Sequence, residues 1–415
     1  MKMLRRQLQG SRFALLSLVL AQGLTLLRSM LIARALGPEQ YGIAATFILL
    51  QAFLDSTSDT GLNKFVLATA RGHNQRMIAT VHFISAWRGL LIAFLLMAIG
   101  WPAFVALDVE TSPLPFALLA AASLCLGFTH FDGVRQQRAS NLLPLSSGNL
   151  IAEIIATGTA ALLVLMDQSF VVAIYVILAK SATATVMSHV FARRPYRLAF
   201  DRPNSRVIWA YALPLVINGP LLFFSAQAER LTAVVTLSAQ QLGVYTAAIL
   251  LIYTPSQLLL RFLGSIYLPI NAREVRESGS HGRHFGFVTL GSALAMAVGY
   301  AVAGPWLIVL FFGKAYQLDW LVVSIIGLTQ SLRFARGWTS GLALAYGHTR
   351  QILAANSMRL AVAPFCLAGV WLIGGMLGLA IGALVGEALA LVYAIWSSQR
   401  GLASIRVARQ KPESR

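Results

Sequence analysis

What most constrains this chain is a succession of apolar stretches, each near twenty residues long, separated by short polar turns. About twenty helical residues cross a hydrocarbon core about 30 Å thick. In lipid every backbone amide and carbonyl must be paired, so such stretches read as helices. Twelve spans are predicted, at 13–34, 41–62, 82–107, 114–134, 147–167, 169–192, 207–227, 241–266, 287–313, 319–346, 351–374 and 376–398. Composition agrees: of 415 residues 57% are apolar and 12% charged, about half the charge of a soluble domain. Disordered chains, soluble nucleic-acid-binding domains and ordinary cytosolic enzymes are excluded. Lys2, Arg5 and Arg6 ahead of the run from Phe13 have the form of a signal peptide, but the run continues to Ala33 and is read as a retained first span.

Charge position orients the spans. With the N-terminus in the cytoplasm, the connecting segments on that side carry 23 Lys and Arg against three on the other, where Asp108, Glu110, Asp167 and Asp319 lie instead. This asymmetry predicts both termini in the cytoplasm. It also accounts for most of the net charge of +18 without a nucleic-acid partner. The basic segment Arg193-Arg194-Pro195-Tyr196-Arg197, with Arg202 and Arg206, reads as a contact for anionic membrane lipids. No loop is long enough for a catalytic domain, and no Gly-rich phosphate loop with Lys-Ser/Thr is present, so the chain is not expected to be an enzyme. Cys125 and Cys366 lie within apolar runs, and His281 and His284 have no acid or thiol beside them. Neither a cofactor nor a metal is predicted. His82, His130 and His189 are isolated in the sequence.

The basic linker 193–206 falls between spans six and seven. It predicts an N-terminal six-helix lobe over 1–192, a C-terminal six-helix lobe over 207–398 and a basic cytoplasmic tail over 399–415. The halves share a weak repeat: Leu36, Gln40, Gly42 and Ile48-Leu49-Leu50 recur as Leu237, Gln241, Gly243 and Ile249-Leu250-Leu251. An even number of spans per half makes the repeats parallel, and two such lobes can enclose a central cavity that opens to either side. The fold class is therefore all-α, a polytopic membrane protein with twelve transmembrane helices in two six-helix lobes around a central cavity. Gly378, Gly382 and Gly386, at four-residue spacing, predict close helix packing in the last span.

The stretch Ala33-Arg34-Ala35-Leu36-Gly37-Pro38-Glu39-Gln40-Tyr41-Gly42, followed by Ser58-Asp59-Thr60-Gly61-Leu62, resembles the opening of the polysaccharide-biosynthesis transporters. These are the O-antigen and exopolysaccharide (Wzx-type) flippases of the multidrug/oligosaccharidyl-lipid/polysaccharide exporter superfamily. The resemblance implies a bacterial inner-membrane protein that flips a polyprenyl-pyrophosphate-linked oligosaccharide by alternating access, for O-antigen (lipopolysaccharide), capsule or exopolysaccharide synthesis. A polysaccharide polymerase and glycosyltransferases would be its partners, and a proton or sodium gradient its energy source. The alternatives are a multidrug/toxin extruder of the same superfamily, which would favour cavity acids because its substrates are usually cations, and a non-transporting scaffold of a polysaccharide assembly complex.

Seven basic residues fall inside the predicted spans: Arg28, Arg88, Lys180, Arg261, Arg333, Arg336 and Arg359. Each central charge costs about 2.5–3.5 kcal/mol to insert, so such residues face a wet cavity, pair with acids or snorkel. Arg28, Arg261, Arg88, Arg333, Arg336 and Lys180 are the candidate substrate contacts, each with a structural ion pair or a headgroup contact as its alternative. Arg359 is read as interfacial. A pyrophosphate crossing a low-dielectric interior suits guanidinium, which stays charged and grips phosphate oxygens bidentately. Among the acids within spans, Asp55 and Glu153 are the candidates for cation coupling or Arg pairing. Asp59 is read as a turn former and Glu387 as a helix-packing contact; Asp132 with Arg135 reads as a surface pair. Trp87, Trp209, Tyr253, Trp338 and Tyr346 are either interfacial aromatics or platforms for sugars.

Overall fold

The first two predicted spans fold as one helix, α1 (Lys2–Thr57), kinked at Gly37. Gly37 adopts φ 75° and ψ 170°, a backbone that a side chain would strain, and Pro38 follows without an amide hydrogen to carry the bonding through. The computed structural model describes residues 2–69, 72, 74–102, 112–277, 283–345, 354 and 356–410. Asp108, Glu110, His281 and Tyr346 lie outside the described residues.

After α1 come a short α2 (Leu62–Ala68), α3 (Gln75–Leu95, continued by a π turn to Gly100), α4 (Leu114–Gly127), α5 (Asp132–Arg138), α6 (Leu143–Leu163) and α7 (Val171–Val190). The second half holds α8 (Arg202–Thr236), α9 (Ala239–Glu277), α10 (Arg283–Phe312), α11 (Trp320–Ala345), α12 (Val362–Ile373) and α13 (Gly375–Gln410). No strand occurs among the described residues. Eight helices there are long and apolar enough to cross a membrane, nine with α4 and α5 taken as one span bent by 46°. Counting the kinked α1 as two, and adding α6 and α11, whose polar residues dilute their apolarity, gives the twelve predicted crossings. The turn before α2 forms as its sequence suggests. Asp59 Oδ1 accepts the Gly61 amide at 2.8 Å, and Gly61 takes φ 63° at the helix start.

The chain divides into two compact units, residues 1–36 with 43–220, and residues 37–42 with 221–415. In the first, Phe47 of α1 stacks on Phe170 and meets Phe116 edge-on, both at 5.3 Å. Ile92 and Leu96 of α3, Leu119 of α4 and Ile174 of α7 close that core. A second cluster gathers Phe65 and Val66 of α2, Met77 and Val81 of α3, Val134 of α5 and Ile208 of α8.

In the second unit Leu263, Phe285, Phe334 and Ala335 join α9, α10 and α11. Gly378 and Gly382 lay α13 against the backbone of α12 at Gly369 and Phe365. Within this unit the repeated glycines meet each other. A Cβ on Gly42 would overlap the Ala239 carbonyl, and one on Gly243 would overlap the Pro38 carbonyl. The recurring glycine thus marks a backbone crossing that no side chain fits. Gly243→Val is expected to destabilise the protein by about 1–3 kcal/mol, read as a lower melting temperature of the purified protein in detergent.

Candidate functional site

A cavity of about 440 Å³ lies within the second unit. Four arginines line it: Arg230 on α8, Arg333 and Arg336 on α11, and Arg359 in the turn preceding α12. Glu229 of α8 is the acid in the lining. The charges are wired together. Arg333 Nη2 donates to Glu229 Oε2 at 2.5 Å, and its Nε donates to Glu387 Oε1 of α13 at 2.8 Å. Arg359 Nη2 reaches the same Glu387 oxygen at 3.0 Å. Glu229 also accepts the Tyr245 hydroxyl at 2.5 Å. Glu229 is thereby paired with Arg333, and Glu387 with Arg333 and Arg359 through Oε1, while its Oε2 has no partner among the described residues. Arg230 instead sits 5.8 Å from the Tyr253 ring centre, a cation–π arrangement. Arg336 reaches the neutral Asn356 Oδ1 at 3.3 Å, and its buried Nε has no partner among the described residues. Four guanidiniums against two carboxylates leave the site cationic, with the surplus on Arg230 and Arg336.

The first unit carries a different pattern. Arg28 of α1 and Lys180 of α7 both pair with Glu153 of α6, Lys180 Nζ at 2.5 Å. Arg28 and Glu153 are nearly buried, whereas the Lys180 side chain is 43% exposed. Arg88 of α3 pairs with Asp55 of α1 at 3.5 Å and donates to Ser58 Oγ at 2.9 Å. Asp55 and Arg88 line a separate cavity, also of about 440 Å³, wholly within this unit.

Beside that cavity the three histidines that are far apart in sequence come together. His82 and His130 stand edge-to-face at 4.8 Å, His189 is 5.3 Å from His130, and the Tyr196 ring lies against all three. Their hydrogen bonds fix the basic segment. His82 Nε2 accepts the Phe131 amide at 3.1 Å, so its Nδ1 donates to the Arg197 carbonyl at 3.1 Å. His130 Nδ1 accepts the Asp132 amide, so its Nε2 donates to the Arg194 carbonyl at 2.9 Å. Asp132 is buried rather than a surface partner of Arg135: it accepts Arg135 Nε at 2.5 Å and the Arg193 amide at 2.8 Å. The backbone of 193–197 is pinned inward while the side chains of Arg193, Arg194 and Arg197 are exposed. Burial without a partner for its hydroxyl pushes the Tyr196 phenol above its ordinary range.

Of the residues singled out from sequence, Arg333 and Arg336 meet in one cavity, Arg28, Lys180 and Glu153 form one triad, and Arg88 and Asp55 share the other cavity. Arg261 is exposed on α9 and outside the lining of either cavity. Tyr253 lines the arginine cavity, Trp338 packs in the core beside it, and Trp87 and Trp209 are exposed. Three site residues escape the sequence reading. Glu229 and Arg230 were expected beyond a span ending at 227, but α8 continues to Thr236. Arg359, expected at an interface, is bonded to Glu387 instead. The missed signal is Glu-Arg adjacency inside an otherwise apolar run: it reads as a loop, yet each charge finds a partner within the bundle.

Each unit is a bundle of long apolar helices holding buried charge, and the fold is one that solved transporters of the MOP superfamily share. The structure is similar to an inward-facing multidrug resistance MATE family transporter of that superfamily (14% identity, covering 95% of this chain and 99% of that one, TM-score 0.70). It is similar to the lipid II flippase MurJ in an inward closed conformation (12% identity, 92% and 87% covered, TM-score 0.71). It also resembles a MOP-superfamily transporter from Pyrococcus furiosus described as having a binding pocket of reverse polarity (14% identity, 97% and 96% covered, TM-score 0.58). At such identities the likeness is one of fold. No curated protein sequence matches the chain. Residues 31–319 match the family described as polysaccharide biosynthesis protein, and the chain belongs to that family.

The ion-pair chain makes a thermodynamic prediction. Glu387→Gln leaves two buried guanidiniums short of their carboxylate, and should cost about 3–5 kcal/mol. Adding Arg359→Met should cost less than the sum of the two single changes. Thermal unfolding of the wild type and the three variants in detergent checks both.

Proposed function

We propose that this protein is a flippase that carries a polyprenyl-pyrophosphate-linked oligosaccharide across the bacterial inner membrane by alternating access, for O-antigen, capsule or exopolysaccharide synthesis. The observation that carries the reading is the cationic cavity of the second unit, where Arg230 and Arg336 hold charge that no carboxylate among the described residues takes up. A pyrophosphate is the group such a site fits: Arg336 offers a planar fork for its oxygens. The polyprenyl tail needs no site, because it stays in lipid. Family membership in polysaccharide biosynthesis and a fold shared with a lipid II flippase support the same substrate class. Glycosyltransferases would supply the lipid-linked glycan and a polymerase would consume it. Both termini are assigned to the cytoplasm from the charge of the connecting segments.

Arg333 and Arg359 position the two acids and complete the anion site. Arg28, Lys180 and Arg88 are proposed as further contacts of the first unit, and Arg261 as an exposed cation for the approaching headgroup. For coupling we favour Asp55 over Glu153, because its side chain is 37% exposed and lines a cavity, whereas Glu153 is 9% exposed and held by two cations. The likeness to multidrug resistance transporters supports a second reading as an extruder. The cationic cavity weighs against it, since the drugs so exported are usually cations.

Proteoliposome flipping of a fluorescent polyprenyl-pyrophosphate oligosaccharide tests the assignment. Arg336→Ala should slow flipping about tenfold or more, as expected for losing a charge-assisted contact, with Arg336→Lys intermediate. Unchanged flipping by Arg336→Ala and Arg230→Ala together would remove the anion site from the mechanism. Asp55→Asn should keep gradient-free flipping but lose its acceleration by an imposed proton or sodium gradient, measured in the same vesicles.

A further inference from the structure

The cavity of the first unit matches the arginine cavity in volume, about 440 Å³, but not in chemistry. Its two formal charges, Asp55 and Arg88, cancel each other at 3.5 Å. His130, also in its wall, is neutral, since one ring nitrogen accepts the Asp132 amide while the other donates to the Arg194 carbonyl. Beside the hydroxyls of Ser85, Thr129 and Ser188, the wall carries carboxamides from three helices: Asn63 of α2, Gln137 of α5 and Asn149 of α6. None of these three side chains has a hydrogen-bond partner among the described residues. Each offers two N–H donors and a carbonyl acceptor. Phe131 and Phe191 add apolar walls. A structural role would consume the amides in bonds to neighbouring helices, as Gln136, one residue from Gln137, does with Asp132 at 3.0 Å and the Phe191 carbonyl at 3.1 Å.

We propose that this cavity is a glycan-recognition site that takes an uncharged sugar bearing hydroxyl or acetamido groups, held by Asn63, Gln137 and Asn149. Unspent amides match the paired donors and acceptors of vicinal hydroxyls, and the apolar walls match the C–H face of a sugar ring. The absence of surplus charge disfavours phosphate or a free carboxylate there. The size falls within the range of about 300–1,000 Å³ usual for small-ligand sites. The inference rests on the proposed function only for the expectation that a glycan is carried. It separates two tasks: the arginine cavity for the diphosphate, and the amide cavity for sugar identity. The Arg88–Asp55 pair is then the orienting polar contact of a site that carries no net charge while Asp55 is ionised, able to accept from and donate to sugar hydroxyls.

The test is saturation-transfer NMR on the purified full-length protein in detergent, with a panel of neutral hexoses, N-acetylhexosamines and their disaccharides, and with inorganic pyrophosphate titrated separately by calorimetry. At least one sugar should bind, and Asn149→Ala and Gln137→Ala should each weaken it about tenfold, the effect of one or two lost hydrogen bonds. Arg336→Ala should leave the sugar signal unchanged while weakening pyrophosphate. Asn63→Ala, on a different helix, provides a second variant, and an unchanged melting temperature shows that each variant is folded. The proposal is overturned if no sugar in the panel binds, if sugar binding survives Asn149→Ala and Gln137→Ala combined, or if pyrophosphate displaces the sugar and its own binding is lost on Arg88→Ala. Failure of pyrophosphate to bind, with sugar binding retained and lost in the amide variants, would count against the flippase reading and leave the glycan site standing.

Discussion

A guanidinium inside an apolar helical bundle has no bulk water around it, so an acid, a carbonyl or a ligand must answer its charge. The second unit solves this with shared partners. Arg333 bridges Glu229 and Glu387, and Glu387 bridges Arg333 and Arg359. Four elements, α8, α11, the turn before α12, and α13, are joined by one chain of charge. Bending or sliding any of these helices separates opposite charges in a low-dielectric interior, which resists the motion far more strongly than apolar packing alone. The walls of the cavity are therefore stiff where the anion would bind. Arg336 and Arg230 sit among these fixed groups without a paired carboxylate among the described residues.

The first unit divides its charges differently. Glu153 answers Arg28 and Lys180, and Asp55 answers Arg88, so the charges there are distributed in two small groups rather than one long chain. Its cavity is bordered by the histidine cluster that pins the backbone of residues 193–197. The same peptide segment, held by these rings, turns its arginines outward, where they suit anionic headgroups.

Legibility in the sequence follows from which signals are one-dimensional. Apolar length is such a signal, and the helices follow it, with the kink at Gly37 written in the Gly-Pro pair. Arg333 and Arg336 were visible because a charge three residues from another, inside an apolar run, needs a reason. The Gly42 and Gly243 repeat was visible as an identity and turned out to be a backbone contact. Partnership, by contrast, is three-dimensional. Glu229 and Arg230 look like a loop until Tyr245, Arg333 and Tyr253 are placed beside them. His82, His130 and His189 come from three separate stretches and meet only after folding. Asn63, Gln137 and Asn149 carry no charge and no periodicity, so nothing in the sequence distinguishes them from surface amides. What sets them apart is a common cavity and the lack of any other use.

A carrier must release what it binds, and this sets a limit on how cationic its cavity can be. Four unanswered guanidiniums would hold a diphosphate too tightly for turnover, because in a desolvated pocket each added charge deepens the well by several kcal/mol. The two glutamates reduce the surplus to the equivalent of two cations, close to the charge of the diphosphate itself. They also keep the empty cavity from repelling itself open, since Arg333 and Arg359 are neutralised whether or not substrate is present. If the proposed function holds, Glu229 and Glu387 would be as much part of transport as the arginines: they would weaken binding to the degree that allows the anion to leave.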